Sequence, residues 1–328
     1  MRWPLLALIL AQAAAGAVCE TRVHPVTKVE YRHPLTGFER TIEVIVEEPL
    51  GADGKLPAVV WMHGGAGGGT PESLEEWRGV TARGCYLSVT IGHAWPGPAQ
   101  AEKLCEWMGR TFPDDCGEAK QGQVKLLNLA RPFDLRATLD YLLREWAERI
   151  DPERIAVGGH SAGAGAALMA AGAARRYEER VETFADPRPR AFLAFSPQGP
   201  GSDGMFAGSF DGIDRPVLIG TGAGDTTGGE QAEDRVAVFD ELTGPDQYLL
   251  YVDDESAPHG RFGLGLAKCA SIGGPVADED CDRVIGWLST AALRFLDAYL
   301  RGSGEARTWL QEDGIGRETG GVVRVNAK

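Results

Sequence analysis

Short apolar runs, each stopped by glycine or proline, alternate along the chain with segments whose apolar residues recur every three or four positions. Residues 41–49 (TIEVIVEEP) alternate apolar and polar positions, as a strand with one wet face does. LPAVVWMHGG (56–65) and CYLSVTIGH (85–93) are short, mostly apolar runs, each stopped by glycine, and predict buried strands. In RPFDLRATLDYLLREWAERI (131–150), Leu135, Leu139, Leu142 and Trp146 share a helical face, and Pro132 fits the first turn. RIAVGGHS (154–161) and RAFLAFSP (190–197) predict strands on either side of an alanine-rich helix, AGAGAALMAAGAARR. RPVLIGTGAGD (215–225) and DQYLLYVDD (246–254) follow as strands, with a helix near 231–242 between them. A last amphipathic helix aligns Val284, Leu288, Ala292, Phe295 and Tyr299.

This alternation of strand and helix predicts an α/β fold with a mostly parallel sheet flanked by helices. No linker or repeat divides it, so residues 18–328 read as a single domain. Residues 92–123 and 197–215 match no element. Both follow predicted strands, at the edge where such sheets bind ligands.

The first seventeen residues change the picture of where the chain works. Arg2 precedes an apolar stretch from Leu5 to Ala15, and Ala15-Gly16-Ala17 is a small-x-small site, the pattern of a signal peptide cleaved after Ala17. The stretch is too short to span a bilayer. The reading is a secreted or periplasmic protein. A net charge of −14 argues against nucleic acid or an anionic membrane as partner. In an exported chain the six cysteines read as disulfides before metal ligands. Cys105 with Cys116 and Cys269 with Cys281 would close short loops, while Cys19 and Cys85 are either a third pair or free thiols. Val18 is a poor neighbour for a lipidated cysteine, which argues against a lipoprotein at Cys19.

The candidate chemistry centres on GGHSAGAG (158–165), where Gly159-His160-Ser161-Ala162-Gly163 fits G-x-S-x-G between a strand and a small-residue helix. A serine hydroxyl needs a base, and the base needs an orienting acid. His259 is the one histidine after Ser161 in the chain, and it sits in a loop after the last predicted strand. Asp225 follows the strand PVLIGTGAG and is the acid candidate; Asp253 and Asp254 compete through their nearness to His259. HGGAGGG (63–69) ends an earlier strand and offers Gly65 or Ala66 as one oxyanion donor, with Ala162 as the other. Trp95, Met205 and Phe206, in the irregular stretches, are candidates for a substrate pocket. No metal motif is present in the sequence, so no metal or cofactor is expected.

With these motifs the chain resembles the serine-dependent α/β-hydrolases. Within them it is similar to the predicted dienelactone-hydrolase group, near the platelet-activating-factor acetylhydrolases and secreted polyester hydrolases. The resemblance runs from Tyr31 to Leu310, through HGGAGGG, GGHSAGAG, FSPQGPG, RPVLIGTGAGD and PHGRF. It implies an α/β-hydrolase fold, a Ser161–Asp225–His259 triad, and cleavage of a small or polymeric ester through an acyl-serine, without cofactor. Serine replaces the cysteine nucleophile of true dienelactone hydrolases, and Ala162 and Gly65 stand where polyester hydrolases carry methionine and an aromatic residue. Acyl transfer on the same triad, or ligand binding on a hydrolase scaffold without catalysis, are the other readings. The sequence leaves the oligomeric state open.

Overall fold

The structure is a computed structural model that describes residues 18–65, 69–116, 120–227, 229–255, 257–264 and 278–328, with backbone alone at 120–124 and 278–281. The expected signal peptide, Ala66, and the Cys269–Cys281 pairing lie outside what it describes. The chain opens with β1 (Thr21–Val23), β2 (Thr27–Arg32), β3 (Glu39–Pro49) and β4 (Leu56–Met62). Then come α1 (Glu75–Arg83), β5 (Leu87–Gly92), α2 (Pro98–Trp107), α3 (Lys120–Glu145), β6 (Ile150–His160) and α4 (Ala162–Ala171). A hairpin of β7 (Ala174–Tyr177) and β8 (Arg180–Thr183) precedes β9 (Ala191–Phe195), β10 (Val217–Gly222), α5 (Ala232–Glu241) and β11 (Gln247–Val252). The chain ends with α6 (Asp278–Leu300), α7 (Gly304–Gln311), α8 (Gly314–Thr319) and β12 (Val323–Ala327).

The main sheet runs β1-β3-β5-β4-β6-β9-β10-β11-β12, and β2 also pairs with β3. Its six central strands, β5 to β11, are parallel; β3 and β12 flank them antiparallel. All seven residues of β4 are buried because both faces are covered. Ala58, Val60 and Met62 face a core shared with α3 and α4. Val59 and Trp61 face the other core, with α1 and α6. There Trp61 stacks on Trp77 at 4.7 Å between centroids, and Trp77 on Phe195 at 4.4 Å. Offset aromatic pairs of this kind add about 0.5–1.5 kcal/mol beyond their burial.

Several elements differ from the sequence expectation. Pro132 lies inside α3 rather than in its first turn, so the helix begins more than two turns earlier. The proline leaves the carbonyl four residues back, at Asn128, without a helical donor. Residues 98–107, expected to be irregular, form α2. Pro98 opens it and Ala101, Leu104 and Cys105 bury one face at helical spacing. The helix after Ser161 stops at Ala171, because Gly172 takes φ 129°; Arg175 and Arg176 belong to the β7–β8 hairpin instead. The strand β12 was not foreseen. Cys105 pairs with Cys116, and Cys19 pairs with Cys85. Among the described residues no helix is long and apolar enough to cross a membrane.

Candidate active site

Ser161 sits between the last residue of β6 and the first of α4, at φ 55° and ψ −121°. A non-glycine residue held there stores about 1–3 kcal/mol of backbone strain. The turn is fixed from the neighbouring strand, where the Phe195 carbonyl accepts the Ser161 N–H at 2.9 Å. The glycines are required by space. A Cβ on Gly163 would overlap the Met62 carbonyl at the end of β4, and one on Gly159 would overlap the Gly163 carbonyl. Strand and helix therefore pass each other backbone to backbone, with the serine at the apex.

Asp225 is fully buried just past β10, where its N–H donates to the Gly222 carbonyl at 2.9 Å. Its Oδ1 lies 2.9 Å from Nδ1 of His259, which opens a short 3₁₀ turn, His259–Gly263. The rest of the carboxylate is also occupied. The Ser196 hydroxyl donates to Oδ1 at 2.7 Å and the Thr221 hydroxyl to Oδ2 at 2.8 Å. Arg235 Nε, fully buried, lies 3.1 Å from Oδ2 and donates to Ser196 Oγ at 2.9 Å. Ser196 Oγ is also 2.6 Å from His259 Nδ1. The Nδ1 hydrogen therefore points between Asp225 and Ser196, leaving Nε2 as the ring's acceptor nitrogen. On the other side His160 donates from Nε2 to the His259 carbonyl at 2.9 Å. Asp253 and Asp254, the competing acids, pair instead with Arg324 at 2.8 Å and Arg283 at 3.3 Å.

The expected oxyanion turn lies against the serine: a Cβ on Gly64 would be 3.1 Å from the Ser161 Cβ. Its carbonyls are turned away and held. Arg131, buried in α3, donates to the His63 carbonyl at 2.5 Å and more weakly to the Gly64 carbonyl at 3.4 Å. His63 Nδ1 donates to the Gly64 carbonyl at 2.6 Å. Burial pulls the Arg131 guanidinium down to about 10, with Asp134 and Asp203 opposing, so it stays charged at neutral pH. Ala162, the other expected donor, is the first residue of α4, where no helical acceptor exists for its N–H. His93, beside this turn, donates from Nδ1 to Asp134 at 2.9 Å, and Asp134 also binds the Arg40 guanidinium and the Tyr31 hydroxyl.

No family model and no curated protein matches this chain. Among solved structures it is similar to the ferulic acid esterase from Streptomyces cinnamoneus, with a TM-score of 0.59 and 18% identity. The match covers 89% of this chain and 93% of that one. Together with the sheet order and the strand–serine–helix turn, it settles the architecture. The fold is that of the α/β-hydrolases.

The fold sets Ser161 after β6 with the Gly64–Gly65 turn that follows β4 against it, and places the Asp225–His259 pair just past β10 on the same C-terminal edge of the sheet. It also adds Ser196, Arg235 and Arg131, which the sequence reading did not single out. A signal for two of them was present. Arg235 lies on the apolar stripe Ala232, Val238 and Phe239 of α5, and Arg131 falls four residues from both Leu127 and Leu135 in α3. An arginine inside an apolar stripe implies a buried partner. Met205 and Phe206 line a cavity together. Trp95 does not line it and is 46% exposed.

Proposed function

We propose that the protein hydrolyses carboxylic esters through an acyl-serine intermediate. The observation that carries this reading is the Asp225–His259 bond of 2.9 Å on a scaffold that holds Ser161 in a strained strand–helix turn. In the proposed reaction Ser161 Oγ attacks the ester carbonyl while His259 Nε2 takes its proton. Asp225 keeps the Nδ1–H tautomer and stabilises the imidazolium that forms. The N–H groups of Gly65 and Ala162 bind the tetrahedral oxyanion, each contributing roughly 3–4 kcal/mol. His259 then protonates the leaving alcohol, and the same base activates the water that releases the acid and regenerates the serine.

The ferulic acid esterase likeness supports an ester as substrate. Two disulfides agree with an exported protein, and the signal-peptide pattern of the first seventeen residues with cleavage behind Ala17. Residues 18–328 then form the mature catalytic domain. The test is turnover of p-nitrophenyl esters of graded acyl length by the mature protein and by Ser161→Ala. Activity that vanishes with the serine supports the reading. Equal activity in the two proteins would refute it.

A further inference from the structure

A cavity of about 430 Å³ lies between the start of α3, the β7–β8 hairpin and the loop 201–206. That volume suits a small organic group. Its charged lining is unbalanced. Arg110, Lys125, Arg175 and Arg176 face it against two acids, Glu178 and Asp203. Arg175 pairs with Asp203, and Arg110 Nε donates to Glu178 at 2.6 Å. Asp203 is further held by Asn128 Nδ2 at 2.8 Å. Both acids are therefore engaged. Lys125 and Arg176 have no carboxylate partner among the described residues. Arg176 is positioned rather than loose: its guanidinium lies 4.6 Å over the Phe206 ring, and its N–H donates to the Gly204 carbonyl at 2.8 Å. On a chain of net charge −14, two uncompensated cations over one cavity make a local site for an anion.

One wall of the cavity touches α4, the helix that starts directly after Ser161. Met205 on its wall reaches to 4.0 Å from where a Cβ of Gly165 would stand, one helical turn after Ser161. Lys125 is six residues before Arg131, about 9 Å along the helix axis, and Arg131 holds the oxyanion turn.

We infer that this cavity binds a carboxylate carried by the ester substrate itself, so that the preferred substrates are anionic esters. The inference rests on the esterase reading and names its substrate class. The lysine and the arginine would bind the carboxylate by charge-assisted hydrogen bonds, while Met205 and Phe206 pack on the connecting chain.

The test compares kcat/KM for matched charged and neutral esters. One pair carries the carboxylate on the acyl part: the p-nitrophenyl half-ester of suberate against p-nitrophenyl octanoate. The other carries it on the alcohol part: 4-acetoxybenzoate against its methyl ester. The expected result is a preference of tenfold or more for the anion in at least one pair. That preference falls at least tenfold in Lys125→Glu/Arg176→Glu, or in the milder Lys125→Gln/Arg176→Gln if the reversal fails to fold. Lys28→Glu, an exposed change of the same sign on β2, leaves it intact. Turnover of the neutral esters with no anion preference, or a preference that survives in the double variant, would overturn this inference alone. No turnover of any ester would overturn the esterase reading and this inference with it.

Discussion

Arg235 and His259 meet on one carboxylate at different oxygens, Nε lying 3.1 Å from Asp225 Oδ2 and Nδ1 lying 2.9 Å from Oδ1. The arginine and the aspartate are fully buried, and Ser196 bridges them to the imidazole. A buried carboxylate that lost this guanidinium would keep its charge without the matching cation. Arg235→Met should destabilise the fold by about 3–5 kcal/mol, the usual consequence of breaking a buried ion pair from one side. Arg235→Lys keeps the charge but loses the planar guanidinium whose Nε touches both Asp225 and Ser196. We expect it to lower kcat about a hundredfold, the loss that follows from a base misplaced by about 1 Å, with little change in KM. Chemical denaturation of the methionine variant and steady-state kinetics of the lysine variant check the two parts. A lysine variant with raised KM and normal kcat would speak against a positioning role.

Arg131 acts on the other half of the site. Its Nη1 donates to the His63 carbonyl at 2.5 Å and its Nη2 to the Gly64 carbonyl at 3.4 Å, which orients the two peptides that carry the Gly64 and Gly65 N–H groups. Arg131→Lys should reduce kcat roughly tenfold to a hundredfold, short of the 10²–10³ seen when an oxyanion donor is removed outright. KM should stay within about twofold. Pre-steady-state measurement of acylation and of deacylation is the appropriate check, since a tetrahedral oxyanion forms in both steps.

Stability should fall with acid in a defined window. Burial pulls His93 from 6.5 down to about 4, with the Arg131 and Arg40 guanidiniums pushing the same way and Asp134 opposing. The unfolded chain takes up this proton near pH 6.5 while the folded protein does not until about 4. The His93 contribution is therefore present above 6.5 and lost as pH falls toward 4. One proton corresponds to about 1.4 kcal/mol per pH unit. His93→Gln should flatten the pH dependence of the unfolding free energy by up to that slope between those limits. Denaturant melts from pH 4 to 8 would show it, and an unchanged slope would contradict it.

The two described disulfides should contribute unequally. Cys19–Cys85 closes 66 residues and Cys105–Cys116 only 11. Chain entropy assigns them about 4 and about 3 kcal/mol. The Cys19→Ser/Cys85→Ser protein should melt below the Cys105→Ser/Cys116→Ser protein under the same conditions.

What could be read in advance was whatever the chemistry places close together in sequence. The turn at Ser161 depends on glycines two residues to either side, so its motif and its geometry are the same few residues. Asp225 was legible because a polar residue after an apolar strand marks the ligand-binding edge of a parallel sheet, and His259 because the chain holds no other histidine beyond the serine. Ser196 and Arg235 lie 29 and 10 residues from Asp225 and meet it through the packing of β9 and α5 on β10, which no local pattern expresses. Pro132 misled because a proline usually opens a helix; here packing against β6 and α4 carries α3 through it. The strand β12 escaped because VRVNA is short and follows two helices, and its pairing with β11 is set by where α7 and α8 deliver the chain.

The central claim is that Ser161 is the nucleophile. Its most direct test is covalent labelling of the mature protein with a fluorophosphonate, the adduct located by peptide mass spectrometry. The account predicts one adduct on Ser161, absent in Ser161→Ala and strongly slowed in His259→Ala. Folded protein that takes no label, or that carries the label on another residue, would contradict it.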